Sequence, residues 1–320
     1  MTRQETIATF LDDLGLGGWR RVPLVGDASA RRYERLHNPE GGSLILMDAD
    51  PIVCGDPGPF LDIRTHLYRF GFSAPTLHAE DPDAGLLLIE DFGDALFARI
   101  MADDPSRELH LYTLAAELLA RLHSKPLPEG MTAMTATALA DMIAPAFDCY
   151  APQHLADLPA AKAAFARLLT PVADVPAVLA LRDFHAENMI FLPDRNGDRQ
   201  IGLLDFQDAF VTHPAYDLVS MLQDARRDLT PGIADSVLRH FIAKTGADDT
   251  AFRTAYAALG AQRNLRILGV FARLAADRGK PQYLALQPRV WAHLQTNLTH
   301  PALAEVRDAL ANLPAPQAVT

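Results

Sequence analysis

Short apolar runs cut by Gly, Asp, Asn and Pro fill the first ninety residues: WRRVPLVG (19–26), RRYERL (31–36), SLILMDA (43–49) and GLLLIED (85–91). Runs of this length with these boundaries predict β-strands. One stretch among them has another period. In FLDIRTHLYRFG, Phe60, Ile63, Leu67 and Phe70 recur at helical spacing, which predicts one helix inside a strand-rich segment. Ahead of them, MTRQETIATFLDDLGLGG reads as a short amphipathic helix broken by glycines.

From Pro105 onward the texture changes to Ala and Leu at a 3.6-residue period, as in SRELHLYTLAAELLARLHS and AFRTAYAALGAQRNLRILGVFARLAA. This predicts a mostly helical second part. Residues 178–205 are the exception, because VLALR, NMIFL and QIGLLDF are strand-like. Asn196-Gly197 between the last two predicts a tight hairpin turn. The DRNGD stretch there is no calcium loop: its glycine falls at the fourth position, not the sixth, and no Glu stands at the twelfth.

Composition adds limits. With 320 residues, 49 % apolar and 22 % charged, the chain is that of a folded globular protein, long enough for two lobes. Its formal charge is −11, from 29 basic and 40 acidic residues, which argues against a broad cationic face for nucleic acid. Cys54 and Cys149 are the two cysteines, far apart, so no disulfide framework or structural zinc site is expected. No window approaches the roughly 18 apolar residues of a membrane span, and the N-terminus has acids where a signal peptide needs an apolar core. A cytoplasmic protein with no nucleic-acid or membrane partner is the expectation.

The chemistry concentrates in LRDFHAENMIF (181–191) and LLDFQD (203–208). Asp183 and Asn188 sit in a loop leading into the hairpin, and Asp205 ends its second strand. Three such oxygen donors suit phosphoryl transfer: one carboxylate orients a hydroxyl and takes its proton, while an Asn and an Asp hold the magnesium that bridges the phosphates.

The chain here resembles the aminoglycoside phosphotransferase family, which has a protein-kinase-like fold. The family loop H-G-D-x-H-x-x-N matches LRDFHAEN at Asp183, His185 and Asn188, with Leu181 and Arg182 in place of His-Gly. A hydrophobic run ending in I-D-F/W matches LLDF at Asp205, and Asp-Pro-x-x-D-L survives as HPAYDL, with Asp217 where an acid usually braces the catalytic loop. The resemblance implies an α+β, two-lobed fold: a β-rich, nucleotide-covering N-lobe over 1–91 with one main helix, and a larger, mostly helical C-lobe over 92–320. It implies ATP and Mg²⁺, Asp183 as catalytic base, Asn188 and Asp205 as metal ligands, and His185 and Asp217 as supports of the loop.

One departure stands out. The strand that normally carries a phosphate-binding Lys has Met47, and the following helix has no Glu to pair with one. The loop GDASARRYERL takes over as the phosphate cover, through backbone N–H groups near Ser29 and the side chains of Arg31 or Arg32. Adenine is expected against LLLIEDF, at main-chain groups of Ile89, Glu90 and Asp91. GDASARRY, LLLIEDFGD and QRNLRILGVFARLA together look like bacterial anomeric kinases of N-acetylmuramate and N-acetylglucosamine, which phosphorylate the C1 hydroxyl in cell-wall recycling.

For the acceptor, Gln207 and Asp208 follow Asp205 directly, and Arg263, Arg266 and Arg273 share one helix face. Such a stripe favours an anionic or neutral polyol over a polycationic aminoglycoside. Two alternatives stay open: an aminoglycoside, choline or other alcohol as acceptor, and a pseudokinase that binds nucleotide without catalysis.

Overall fold

The structure, a computed structural model, describes residues 2–24, 30–175 and 177–317. Contacts divide the chain into two compact units, one of Met1–Phe97 with Glu187–Asp208, the other of Ala98–Ala186 with Ala209–Thr320.

The first unit is built on an antiparallel sheet of β1 (Arg20–Leu24), β2 (Arg32–His37), β3 (Ser43–Asp48), β4 (Leu77–Asp81) and β5 (Leu86–Glu90), in the order β1-β2-β3-β5-β4. Alternation assigns its two faces. Leu36, Leu46, Leu86 and Leu88 form one apolar face with Ile7 and Leu11 of α1 (Arg3–Asp13). Helix α1 starts on a capping box in which Thr2 and Glu5 satisfy each other's backbone N–H groups. Tyr33, Met47, Leu87, Ile45 and Ile89 are register partners on the opposite face. Helix α2 (Gly58–Arg69) buries Phe60, Ile63 and Leu67, the positions its periodicity marks.

The hairpin of β7 (Met189–Phe191) and β8 (Ile201–Leu203), numbered after β6 (Val178–Ala180), also belongs to this unit. Its backbone explains why: Leu203 N–H donates to Ser73 O at 2.9 Å, and Phe191 N–H to Ala95 O at 2.8 Å. Gly202 has no side chain because the Phe92 ring lies where a Cβ would go, 2.7 Å away. The first unit therefore runs past the expected cut after Asp91 and also takes in the hairpin. The tight turn expected at Asn196-Gly197 is replaced by a longer connection over 192–200, in which 197–200 form a 3₁₀ turn. Pairing of Phe191 with Ile201 is the last rung, so a two-residue loop has no place.

The second unit holds α3 (Glu108–His123), α4 (Leu158–Ala173), α5 (Ala215–Leu222), α6 (Ile233–Thr245), α7 (Asp249–Arg278) and α8 (Gln287–Leu298), together with a short ladder of β6 and β9 (Phe210–Thr212). Its central member is α7, which packs against α5 and α8. Gly269 of α7 lies so near the Pro145 carbonyl that a Cβ would come within 2.1 Å of its oxygen. No helix among the described residues is long and apolar enough to cross a membrane.

Candidate active site

In the first unit, the open end of the β7–β8 hairpin carries Asn188 and Asp205. Leu204 N–H donates to Asn188 O at 3.0 Å, so the backbone brings the amide and the carboxylate to one end of the ladder. Asp205 is exposed and has φ of +55°, a left-handed conformation that a non-glycine residue adopts at a cost of about 1–3 kcal/mol. Its neighbours hold it there. Phe206 is buried and stacks on Phe60 of α2 at 5.0 Å, while the Gln207 side-chain amide donates to Asp205 Oδ1 at 2.8 Å. Gln207 is thus in contact with the carboxylate, and Asp208 is exposed.

The same unit contains the residues expected around the nucleotide. Ser29 lies outside the described residues. Arg31 is half-buried and hydrogen-bonds Tyr33, whose phenol is pushed up to about 12 by burial, with Arg31 opposing and Asp205 reinforcing the shift. Arg31, Tyr33 and Asp205 therefore share one neighbourhood. Tyr33 escaped the sequence reading, although period-two alternation from Arg31 already places it on the same side of the strand. Arg32 is exposed and pairs in register with Asp48.

At the other end of this face, Ile89 is buried, and Glu90 and Asp91 have their side chains engaged. Glu90 accepts from the backbone N–H and hydroxyl of Thr76 at 3.1 and 2.9 Å and pairs with Arg195. Asp91 accepts from the Ser43 hydroxyl at 2.6 Å and pairs with Arg35. The Glu90 N–H donates to Thr76 O at 2.8 Å, and Ile89 pairs in register with Ile45 on one side and Leu77 on the other.

In the second unit, the loop of Asp183 is braced from α5. The buried Asp217 carboxylate accepts the N–H groups of Leu181 at 2.6 Å and Arg182 at 2.9 Å. Burial raises the Asp217 carboxyl to about 7, against the pull of those two donors. Arg182 carries φ of +71°. Asp183 itself is half-buried, with Arg263 Nη2 at 3.5 Å from Oδ1. Burial pushes its carboxyl up, but Arg263 and Arg182, with help from His185 and Arg266, outweigh burial and hold it below the ordinary carboxylate range. At neutral pH Asp183 is an anion.

Arg263, on α7, is buried, donates to Ser220 Oγ at 2.7 Å and lies over the Tyr216 ring at 5.6 Å. Arg266 is half-buried and Arg273 exposed. The stripe read from the sequence thus runs from the interior to solvent. His185 is buried and lowered to about 4, first by burial and then by Arg226, so its imidazole is neutral at pH 7.

Among the described residues no three His, Cys, Asp or Glu cluster as a metal cage. Magnesium is commonly held by one or two carboxylates with the remaining positions filled by phosphate oxygens and water. Asp205 and Asn188, at one hairpin end, are the residues that could hold such an ion.

Comparison with known proteins gives the family. The profile of the phosphotransferase enzyme family matches residues 20–256. An N-acetylmuramate/N-acetylglucosamine kinase of Caulobacter vibrioides is 37 % identical over 95 % of both chains, and one of Pseudomonas aeruginosa is 29 % identical over 92 % of this chain and 88 % of its own. Among solved structures, a choline kinase from Streptococcus pneumoniae superposes with a TM-score of 0.67 at 14 % identity, covering 92 % of this chain and 99 % of its own, a likeness of fold. With a match across most of its length, a protein-kinase-like fold and kinase relatives, the chain belongs to the phosphotransferase enzyme family.

Proposed function

We propose that the protein transfers the γ-phosphoryl group of ATP to the anomeric C1 hydroxyl of N-acetylmuramate or N-acetylglucosamine, as a cytoplasmic enzyme of cell-wall sugar recycling. The observation that carries the reading is the 37 % identity to the Caulobacter vibrioides kinase over 95 % of both chains.

In this reading Asp183 accepts a hydrogen bond from the C1 hydroxyl and takes its proton as the sugar oxygen bonds to the γ-phosphorus. The bond from that phosphorus to the bridging oxygen breaks, and ADP leaves. A carboxylate of lowered pKa is a weak base, which suits a loose transition state in which the proton departs late and orientation does most of the work. Asn188 and Asp205 are assigned to Mg²⁺, which when bound neutralises charge on the phosphates. Gln207 holds the Asp205 carboxylate in orientation, Asp208 is assigned to the acceptor side, and Asp217 and His185 hold the loop. Arg31, with Arg32, Ser29 and the main chain of Ile89, Glu90 and Asp91, is assigned to the nucleotide. Arg263 serves the acceptor side by fixing Asp183.

Incubation with ATP, Mg²⁺ and a mixture of amino sugars, choline and an aminoglycoside tests the reading by mass spectrometry. A hexosamine 1-phosphate is the expected product. Preferential phosphorylation of choline or the aminoglycoside overturns the choice of acceptor, and nucleotide binding with no phosphorylated product from any of them overturns the enzyme.

A further inference from the structure

A cavity of about 520 Å³ lies wholly within the first unit, where three of its segments meet. Tyr68 near the end of α2 and the stretch from 71 to 76 form one wall, Glu90 at the end of β5 a second, and Arg195 and Arg199 of the β7–β8 connection a third. Its volume is that of a site for a small organic molecule. The oxygen donors stand elsewhere. Arg195 and Arg199 are at the closed end of the hairpin and Asn188 and Asp205 at its open end, with three-residue strands, roughly 10 Å of ladder, between them.

The charges on the cavity wall do not cancel. Glu90 is its acid, and that carboxylate is taken up by Arg195 and by the Thr76 N–H and hydroxyl at 3.1 and 2.9 Å. The Arg195 guanidinium is covered in turn by the Phe92 ring, 5.2 Å from its carbon. Two other guanidiniums are left over. Arg199 is exposed, and no acid among the described residues pairs with it. Arg64 of α2 is half-buried, donates from Nε to Pro75 O at 2.9 Å and lies over the Tyr68 ring at 4.9 Å, and it too pairs with no acid among the described residues. In a chain of formal charge −11, a surplus of cations at one cavity is a local feature and attracts an anion.

The wall is also fixed in place before any ligand arrives. Ser73 ties it to the hairpin twice: its carbonyl accepts the Leu203 N–H at 2.9 Å, and its hydroxyl donates to Arg199 O at 2.7 Å. The backbone that carries Arg199 is thereby held, which lowers the ordering cost of binding.

We propose that this cavity binds a phosphate group through Arg199 and Arg64, carried either by free phosphate or by the sugar phosphate that the proposed reaction makes. The second source rests on the reading above; the site itself does not. Phosphate suits the pair better than carboxylate, because one guanidinium fork already satisfies the two oxygens of a carboxylate, whereas a phosphate has oxygens for both.

Calorimetric titration of the full chain with inorganic phosphate, and separately with N-acetylglucosamine 1-phosphate, tests the site. Binding is expected for the parent, weakened about 10- to 100-fold in Arg199→Gln and in Arg64→Gln, and kept within about threefold in Asp205→Asn. It should persist with a non-hydrolysable ATP analogue and Mg²⁺ present, and Arg199→Gln should keep its turnover within about twofold. Tighter binding of the sugar phosphate makes the reaction product the source, and equal binding makes it free phosphate. No binding of either up to about 10 mM, equal affinity in the parent and Arg199→Gln, or loss in Asp205→Asn or on adding the analogue overturns the site. A kinase that turns over amino sugars without such binding removes this site alone, while binding lost in Arg199→Gln supports it even where no sugar phosphate forms. Should Arg64→Gln melt lower than the parent, Arg199→Gln carries the comparison, since an exposed side chain with no acid partner is expected to leave the melting temperature unchanged.

Discussion

Tyr33 stands directly across from Met47 in the register of β2 and β3. Met47 is fully buried, and the Tyr33 phenol meets the Arg31 guanidinium, which comes from the residue just ahead of β2. Arg31 is therefore expected to supply the phosphate contact that a lysine on β3 cannot. Arg31→Ala should weaken nucleotide binding about 10- to 100-fold, with Tyr33→Phe losing less, as read by titration with ADP and Mg²⁺. Unchanged affinity in Arg31→Ala sinks the assignment.

Restoring the family lysine should fail. Met47→Lys puts an ammonium in a fully buried position with no Glu on α2 to pair with it, at a cost of about 3 kcal/mol or more. A thermal melt at or above the parent's would contradict this.

Asp183→Asn keeps the shape of the loop and removes the proton acceptor. Turnover should fall by about 10²–10⁴-fold while nucleotide affinity stays within a few-fold, measured by product formation and by titration in parallel. Full turnover in the variant removes Asp183 from the role of base.

Asp217 is a positioning residue, and its loss should be read in stability as well as rate. Asp217→Ala leaves the N–H groups of Leu181 and Arg182 without their acceptor, at about 1–3 kcal/mol each. Asp217→Asn keeps a carbonyl oxygen for one of them and should recover part of the melting temperature. Equal melting temperatures for Asp217→Ala and Asp217→Asn would mean the brace is not a hydrogen-bond effect.

Acid should destabilise the fold before the bulk of the carboxylates titrate. Burial lowers His123 to about 3 and His185 and His213 to about 4, below the ordinary 6.5. The unfolded chain therefore takes up protons first, and the stability these groups confer, complete above about pH 6.5, is lost as the pH falls toward 4, at about 1.4 kcal/mol per pH unit for each. Asp217 runs the other way: its raised folded value means the native state gains as pH falls from 7. Three histidines against one carboxylate leave acid as the destabilising direction. Melting temperature should drop between pH 7.5 and pH 5, and His123→Phe should flatten the drop, since both His123 ring nitrogens are buried without a protein partner. A melt independent of pH in this range would overturn the balance.

Much of this protein was determined by local order along the chain. Period-two runs made the five-stranded sheet, period 3.6 made α2 and the helices of the second unit, and the spacing of Asp183, His185 and Asn188 with LLDF and HPAYDL marked the candidate site residues, because each of these signals is carried by near neighbours. Tertiary structure decided the rest. Only folding attaches the β7–β8 hairpin to the first unit through Ser73 and Ala95, and only folding sets Tyr33 opposite Met47 or buries Arg263 of α7 against Asp183. These pairings join residues far apart in the chain, so no local period encodes them. Arg182 and Asp205 show the same limit at a single residue. Their left-handed backbones go against local preference and persist because Asp217 and the Phe60–Phe206 stack, brought in from distant segments, hold them.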